Sequence, residues 1–329
     1  MFLDRLGKVE HSKFYVELAI RHANARCKLL KQKLPVKERL LREKKVGSYR
    51  LQMIDKYLGA ELNRLIACFP DFESIPVFYL ELVKLTTDYE ATTSALKKLD
   101  WLRRSTRSLA KAYIDRISKR NDIKFILSSE KAFYGRLFGL ARKVDPSLEV
   151  LETVRKVMRE YPVVKTSLFT VAIAGFPNVG KTTLLFKLTG SQPEIKNYAF
   201  TTKGINTAYM SFESRKVQLL DTPGTLDRIE KMNNLEKQSF LAIQHLANCI
   251  VYVFDVTESY PLDDQIKLYL RLKELDKPMI VYASKTDISK DNLALLSDYE
   301  PITDLQILQE KLKSLAEKSD ILPPPSSDS

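Results

Sequence analysis

"GFPNVGKTT", residues 175–183, is the stretch that decides the fold. It satisfies the spacing G-x-x-x-x-G-K-[ST], with Gly175, Gly180, Lys181 and Thr182 in register. The β-rich run "SLFTVAIA" precedes it and a helical stretch follows, which is the strand–loop–helix setting a phosphate-cradling loop requires. Through Phe176, Pro177, Asn178 and Val179 the backbone curls between the two glycines. Its N–H groups and the helix start can then surround the β- and γ-phosphates of a nucleotide. Lys181 brings a point charge to those phosphates, Thr182 offers a hydroxyl to Mg²⁺, and Thr183 approaches the α-phosphate.

Toward the C-terminus the same short-run pattern continues with "NTAYMSF", "KVQLLD", "NCIVYVFD" and "PMIVYAS", separated by loops and helical stretches. Such runs predict a mostly parallel sheet flanked by helices, with ligands at the carboxyl ends of its strands. The run "KVQLLD" ends in "DTPG": Asp221, Thr222, Pro223 and Gly224. A carboxylate there holds Mg²⁺ as a Walker-B residue does, and Gly224 lets a backbone N–H approach a γ-phosphate. Between the two lies "YAFTTKG", where Phe200 and Thr201 lead to Thr202, a hydroxyl for Mg²⁺ when the triphosphate is present. Thr182, Thr202 and Asp221 are thus the expected metal ligands, and Lys181, Thr202 and Gly224 the expected catalytic groups.

The run "PMIVYAS" ends in "SKTD", Ser284, Lys285, Thr286 and Asp287, one letter from the N-K-x-D tetrapeptide that reads guanine. Asp287 can accept from the guanine N1–H and N2–H₂, a donor pair that adenine lacks, and the Lys285 stem can lie over the ring. A fifth element, ordinarily a Ser-Ala pair, is placed at Ile302-Thr303 by position alone. In this order and spacing the elements form a P-loop GTPase set, with GTP and GDP as substrate and product.

Toward the N-terminus the period changes to three and four, as in Leu51, Ile54, Leu58, Leu62 and Leu65, then Leu99, Leu102, Tyr113 and Ile117. This predicts an all-helical domain of long antiparallel helices, broken at Pro35, at "CFPDFESIPVF" and at "VDPS". The expected division is residues 1–165 helical, 166–318 the P-loop GTPase domain, and 319–329 a disordered tail around "LPPPSSDS". Residues 1–168 hold 35 Lys and Arg against 20 Asp and Glu, whereas residues 169–329 hold 18 against 21. The whole excess behind the net +12 therefore lies in the helical half, and a polyanion, RNA before DNA or membrane, is its expected partner. A solvated Lys- and Arg-rich surface is the other reading of that charge.

Composition excludes several classes. The longest apolar run, around Cys249–Phe254, is far short of the ~20 residues a membrane span needs. The start "MFLDRLGKVEHSKF" has no apolar signal core, and the three cysteines and three histidines lack ligand spacing. The expectation is a cytoplasmic monomer with reduced thiols and no membrane partner.

"GFPNVGKTTLLFKLTG", "NYAFTTKGI", "LLDTPGTLD" and "QSFLAIQHLANCIVYVFDVTES" resemble the Obg-like branch of P-loop GTPases. "FPDFESIPVFYLELVKLTTDYEATTSALKKLDWLRRS" resembles the helical N-terminal domain of the nucleolar GTP-binding protein 1 (Nog) family. The resemblance runs from about residue 8 to about residue 315, and implies a compact archaeal-type version without the eukaryotic C-terminal extension. It also implies GTP hydrolysis in assembly of the large ribosomal subunit, on pre-ribosomal particles and their rRNA. Two departures bear on mechanism. Thr225 follows "DTPG" where many GTPases place a water-orienting Gln, which implies slow intrinsic hydrolysis. Ser284 stands where the family has Asn, which affects affinity more than specificity. Asn178 matches the position that binds K⁺ in potassium-activated GTPases; stabilising the turn is its other reading. A GTP-hydrolysing assembly factor, a nucleotide-dependent RNA-binding switch with negligible intrinsic hydrolysis, and a degenerate scaffold remain three distinct functions for this chain.

Overall fold

The computed structural model describes residues 2–35, 38–190, 206–212, 215–222, 234–257, 259–289 and 292–319. The expected site residues Phe200, Thr201, Thr202, Pro223 and Gly224, together with Thr225 and the tail from residue 320, lie outside the described residues. The chain forms two compact units. One comprises Met1–Ile75 and Thr86–Arg159, the other Pro76–Leu85 and Glu160–Ser329.

The first unit begins with a 3-10 turn, Phe2–Arg5, then α1 (Ser12–Lys33) and α2 (Arg39–Cys68). After α3 (Val77–Thr86) come α4 (Tyr89–Lys119), α5 (Ile123–Arg142) and α6 (Asp145–Arg159). Proline ends the first two helices, because Leu34 and Phe69, each preceding a proline, are forced into extended backbone. Pro146 instead sits in the first turn of α6, where its missing N–H costs nothing. Two further breaks contain neither Pro nor Gly. Asp88 starts α4 by accepting from the Ala91 N–H at 2.8 Å, and Asp122 starts α5 by accepting from the Lys124 N–H at 2.9 Å.

The apolar faces meet as the period demands. Leu51, Ile54, Leu58 and Leu62 of α2 and Leu99, Leu102, Tyr113 and Ile117 of α4 are all fully buried or nearly so. One charged pair interrupts this interior: Arg50 of α2 donates to Glu130 of α5. Burial pushes the Glu130 carboxyl up, and the Arg50 charge beside it only partly offsets that. Gly47 makes the room, since a Cβ there would stand 2.6 Å from Glu130 Oε1.

In the second unit five strands form one sheet in the order β2-β3-β1-β4-β5. They are β1 (Phe169–Ala174), β2 (Asn206–Phe212), β3 (Arg215–Asp221), β4 (Cys249–Asp255) and β5 (Met279–Ser284). β3, β1, β4 and β5 are parallel, and only the edge strand β2 runs antiparallel. Every residue of β1 and β4 is buried, as strands covered on both faces must be. Helices α7 (Lys181–Thr189), α8 (Asn234–Leu246), α9 (Leu262–Lys273) and α10 (Leu305–Lys318) alternate with the strands, and a 3-10 helix spans Ala294–Tyr299.

α3 groups with this unit. Its Tyr79 hydroxyl donates to the Pro162 carbonyl at 2.9 Å and accepts from the Val164 N–H at 3.1 Å. Tyr161 returns a hydrogen bond to the Leu82 carbonyl. The sheet core holds a thiol as well: burial pushes Cys249 up to about 12, so it is an unreactive apolar filler.

The Gly47–Glu130 contact gives a prediction with a change of sign. Gly47→Ala should destabilise the protein by ~1–3 kcal/mol in urea denaturation, because the methyl displaces a carboxylate that Arg50 holds. In a Glu130→Ala background the same substitution should stabilise by up to ~1 kcal/mol, the ordinary helix gain of Ala over Gly. Equal effects in the two backgrounds would show that the crowding is not felt.

Candidate functional site

The parallel strands deliver their polar residues to one edge of the sheet. At the end of β1 the chain turns through Gly175 (φ 148°), Asn178 (φ 60°) and Gly180 (φ 93°), backbone conformations that favour glycine and asparagine. Gly175 is constrained twice over, since a Cβ there would meet the Val253 carbonyl of β4 at 2.6 Å. Gly180 is the N-cap of α7 and provides no side-chain cap, so the first N–H groups of that helix face the concavity of the loop.

Lys181 is buried beneath this loop. Its Nζ donates to the carbonyls of Gly175 at 3.0 Å and Phe176 at 2.6 Å. Burial lowers its pKa to about 8, with Asp221 pulling in the opposite direction. A cation held by carbonyl dipoles in so dry a place suits an incoming anion.

Thr182 donates its hydroxyl to Asp221 Oδ2 at 2.7 Å. Asp221 ends β3 and is 6% exposed, placed by the register that pairs it with Ile173 of β1. Thr222 fixes the strand end through hydrogen bonds from its N–H and hydroxyl to the Ile173 carbonyl. A hydroxyl and a buried carboxylate side by side are hard oxygen donors, the set Mg²⁺ takes when phosphates and water complete its shell. No group of three or more His, Cys, Asp or Glu able to hold a metal occurs among the described residues.

β5 brings "SKTD" to the same edge. The Ser284 hydroxyl lies 2.7 Å from the Val179 carbonyl of the P-loop and 2.9 Å from the Phe254 carbonyl of β4. The serine therefore ties the "SKTD" loop to the phosphate loop, with one proton serving two acceptors. Lys285 has a left-handed backbone (φ 59°), and its Nζ donates to Asp255 Oδ2 at 2.7 Å and to Ser259 Oγ at 3.2 Å. Asp287 is exposed two residues beyond it. Ile302 bridges Tyr282 in parallel and exchanges hydrogen bonds with Val281 and Ala283, so Thr303 emerges beside the loop.

Sequence reasoning missed the support behind these residues. Asp255, fully buried at the end of β4, takes Lys285 on one oxygen and the N–H and hydroxyl of Thr257 on the other. Burial alone would raise its carboxyl, but those donors hold it below the usual range. Gln265 of α9, also fully buried, accepts from the Asp255 N–H and donates to the Asp255 and Tyr260 carbonyls. Asp255 is the last letter of "NCIVYVFD", and the strand-end rule that singled out Asp221 would have found it.

Removing the tether should be measurable. Ser284→Ala leaves two carbonyls without their donor and should weaken GDP and GTP binding alike, by roughly three- to tenfold for a neutral hydrogen bond worth ~0.5–1.5 kcal/mol. The preference for guanine over adenine nucleotides should be unchanged in titration calorimetry. A loss confined to one nucleotide would place Ser284 in direct contact with the ligand instead.

Family comparison agrees with this geometry. Residues 5–165 match the NOG1 N-terminal helical domain, and residues 170–285 match the 50S ribosome-binding GTPase domain. An uncharacterized protein of Methanocaldococcus jannaschii is 34% identical over 76% of this chain and 71% of its own length. Probable nucleolar GTP-binding protein 1 of Dictyostelium discoideum is 30% identical over 74% of this chain and 37% of its own. Nucleolar GTP-binding protein 1 of Drosophila melanogaster is 32% identical over 69% and 36%. The chain thus spans little more than a third of these eukaryotic relatives. Their names overturn the expectation of a plainly cytoplasmic protein, since both are nucleolar. With the helical domain and the GTPase domain matched in order, the chain belongs to the nucleolar GTP-binding protein 1 family of P-loop GTPases.

Proposed function

We propose that this chain hydrolyses GTP to GDP and phosphate as an assembly factor for the large ribosomal subunit, engaging rRNA through its basic helical half. The observation that carries this reading is the convergence of Lys181, Thr182, Asp221 and Ser284 at the carboxyl ends of β1, β3 and β5. The P-loop N–H groups and Lys181 hold the phosphates, and Asp287 reads the base. Thr202 and the Gly224 N–H sense the γ-phosphate. Thr182, Asp221 and Thr202 would hold Mg²⁺, which when bound neutralises charge on the β- and γ-phosphates. K⁺ beside Asn178 would add positive charge; the left-handed backbone of that residue serves the turn in either case. Residues 1–165 are the proposed RNA- and ribosome-binding domain of a monomer, and residues 166–318 the nucleotide domain.

Thr225 is too short to orient water as a Gln does, so hydrolysis is slow without an activator. The same residue favours a second reading, an RNA-binding switch that hydrolyses GTP negligibly on its own. Single-turnover hydrolysis with and without large-subunit particles separates the two. A rise of at least ~10²-fold on adding particles supports the assembly GTPase, and an unchanged rate supports the bare switch.

Base reading is tested independently. Asp287→Asn should shift preference from GDP toward XDP, whose C2 oxygen accepts where the guanine amino group donates. A variant that binds GDP as the parent does would remove "SKTD" from the base site.

A further inference from the structure

Three arginines of the helical unit are held over aromatic faces rather than by carboxylates. The Arg116 guanidinium carbon lies 5.1 Å from the ring centre of Tyr113 and 6.0 Å from that of Phe125. Arg120 lies 5.4 Å from the Phe125 ring, and Arg136 of α5 lies 5.6 Å from the Tyr113 ring. Each guanidinium therefore shares a ring with a neighbour, and the three form a continuous ladder across α4 and α5. All three side chains are exposed, and none makes an ion pair among the described residues. Asp122, the nearest acid in sequence to Arg120, spends a carboxylate oxygen on capping α5.

The arginines farther back along α4 differ. Arg103 and Arg104 both pair with Asp100, at 2.6 and 3.0 Å, and Arg107 faces Asp55 at 3.8 Å. One carboxylate serves both Arg103 and Arg104 and a second faces Arg107, so their charge is partly answered inside the protein. The dipole of α4 attracts cations to its C-terminal end, which accounts for the placing of Arg116 and Arg120. It does not account for Arg136, which reaches the same Tyr113 ring from the interior of α5.

We infer that this ladder is the surface through which the protein grips the phosphate backbone of helical RNA, a conclusion that rests on the rRNA reading above. Contact with the rings restricts the rotamers of each arginine and leaves its charge unanswered by carboxylate, and a guanidinium so restrained takes a phosphate with less ordering cost. The occupant is backbone rather than base. Tyr113 is 2% exposed and two arginines lie over the Phe125 ring, so neither ring is an open platform for a nucleobase. Recognition by this surface is accordingly indifferent to sequence and strongly dependent on salt.

The test uses the full-length chain and two RNA duplexes of unrelated sequence, titrated between low and moderate salt. The parent should bind both within about twofold of each other. Arg116→Gln with Arg120→Gln and Arg136→Gln should lower the log–log salt slope by roughly two to three, at ~0.7–0.9 per phosphate contact, and weaken binding roughly tenfold or more. The double variant Arg103→Gln with Arg104→Gln should change affinity by less than about threefold. Replacing the three ladder arginines by lysine keeps the charge and loses the stacked fork; it should weaken binding several-fold with the slope nearly intact. Circular dichroism melts confirm that each variant is folded, and the lysine variant answers the question should the glutamine one unfold. A parent that binds while the glutamine ladder variant binds with the same slope overturns the ladder alone, and leaves an acidic protein surface as its alternative partner. Equal effects from the ladder and the Arg103/Arg104 variants also overturn it. A parent that binds neither duplex at low salt overturns the RNA reading and the ladder with it.

Discussion

Complete burial of β1 and β4 on both faces is the constraint from which the site follows. A strand with no exposed face has nowhere along its length to carry chemistry, so polar residues collect where the chain leaves the sheet. Parallel pairing then places those exits on one edge. Gly175, Asp221, Asp255 and Ser284 each stand at or just past a strand end, and the register sets Asp221 beside Ile173 and Ser284 beside Asp255. Two carbonyls, from Val179 and Phe254, converge on one serine hydroxyl because three strands end together. The glycine at 175 belongs to the same geometry, since its neighbour across the sheet is the Val253 carbonyl.

The helical unit obeys a different rule. Its interior is apolar by periodicity apart from the Arg50–Glu130 pair, and most of its charge lies on the surface, where an excess of cations must be arranged. Some are answered by acids one turn away, as Asp100 answers Arg103 and Arg104. Others lean on aromatic rings and keep their full charge toward solvent. Net charge alone does not distinguish the two kinds, although they differ greatly in what they offer a polyanion.

Much of this was legible in the letters. The five β-rich runs became the five strands because β-branched residues in buried runs have little alternative. The P-loop was legible because its glycines answer a backbone requirement that no other residue meets cheaply. Helix ends at Pro35 and Pro70 were equally plain. The breaks at Asp88 and Asp122 were overlooked because an aspartate is a cap only if the chain stops there, and nothing else marked the stop. The grouping of α3 with the second unit depends on Tyr79 reaching Pro162, a contact across more than eighty residues that no local pattern encodes. Gln265 was invisible for the same reason: a buried glutamine in a helix looks like any surface glutamine until its three partners are known. The sequence marks the serine of "SKTD" only as a departure that affects affinity, not as a link between loops. The structure shows that link, because the two loops approach so closely that Ser284 Cβ would lie 3.9 Å from a Cβ on Gly180.

The left-handed backbone at Lys285 has a consequence for the timing of nucleotide exchange. That conformation is costly for a side chain as large as lysine, and the buried Asp255 carboxylate holds it in place through the ammonium. Asp255 is in turn clamped by Thr257 and Gln265, so the end of β4 sets the backbone at Lys285 from within the protein. A loop ordered in advance adds little entropic barrier when the base arrives. Capture of the base is then governed by diffusion and by access to the phosphate loop, and differences in how long nucleotides stay bound reside in the departure step.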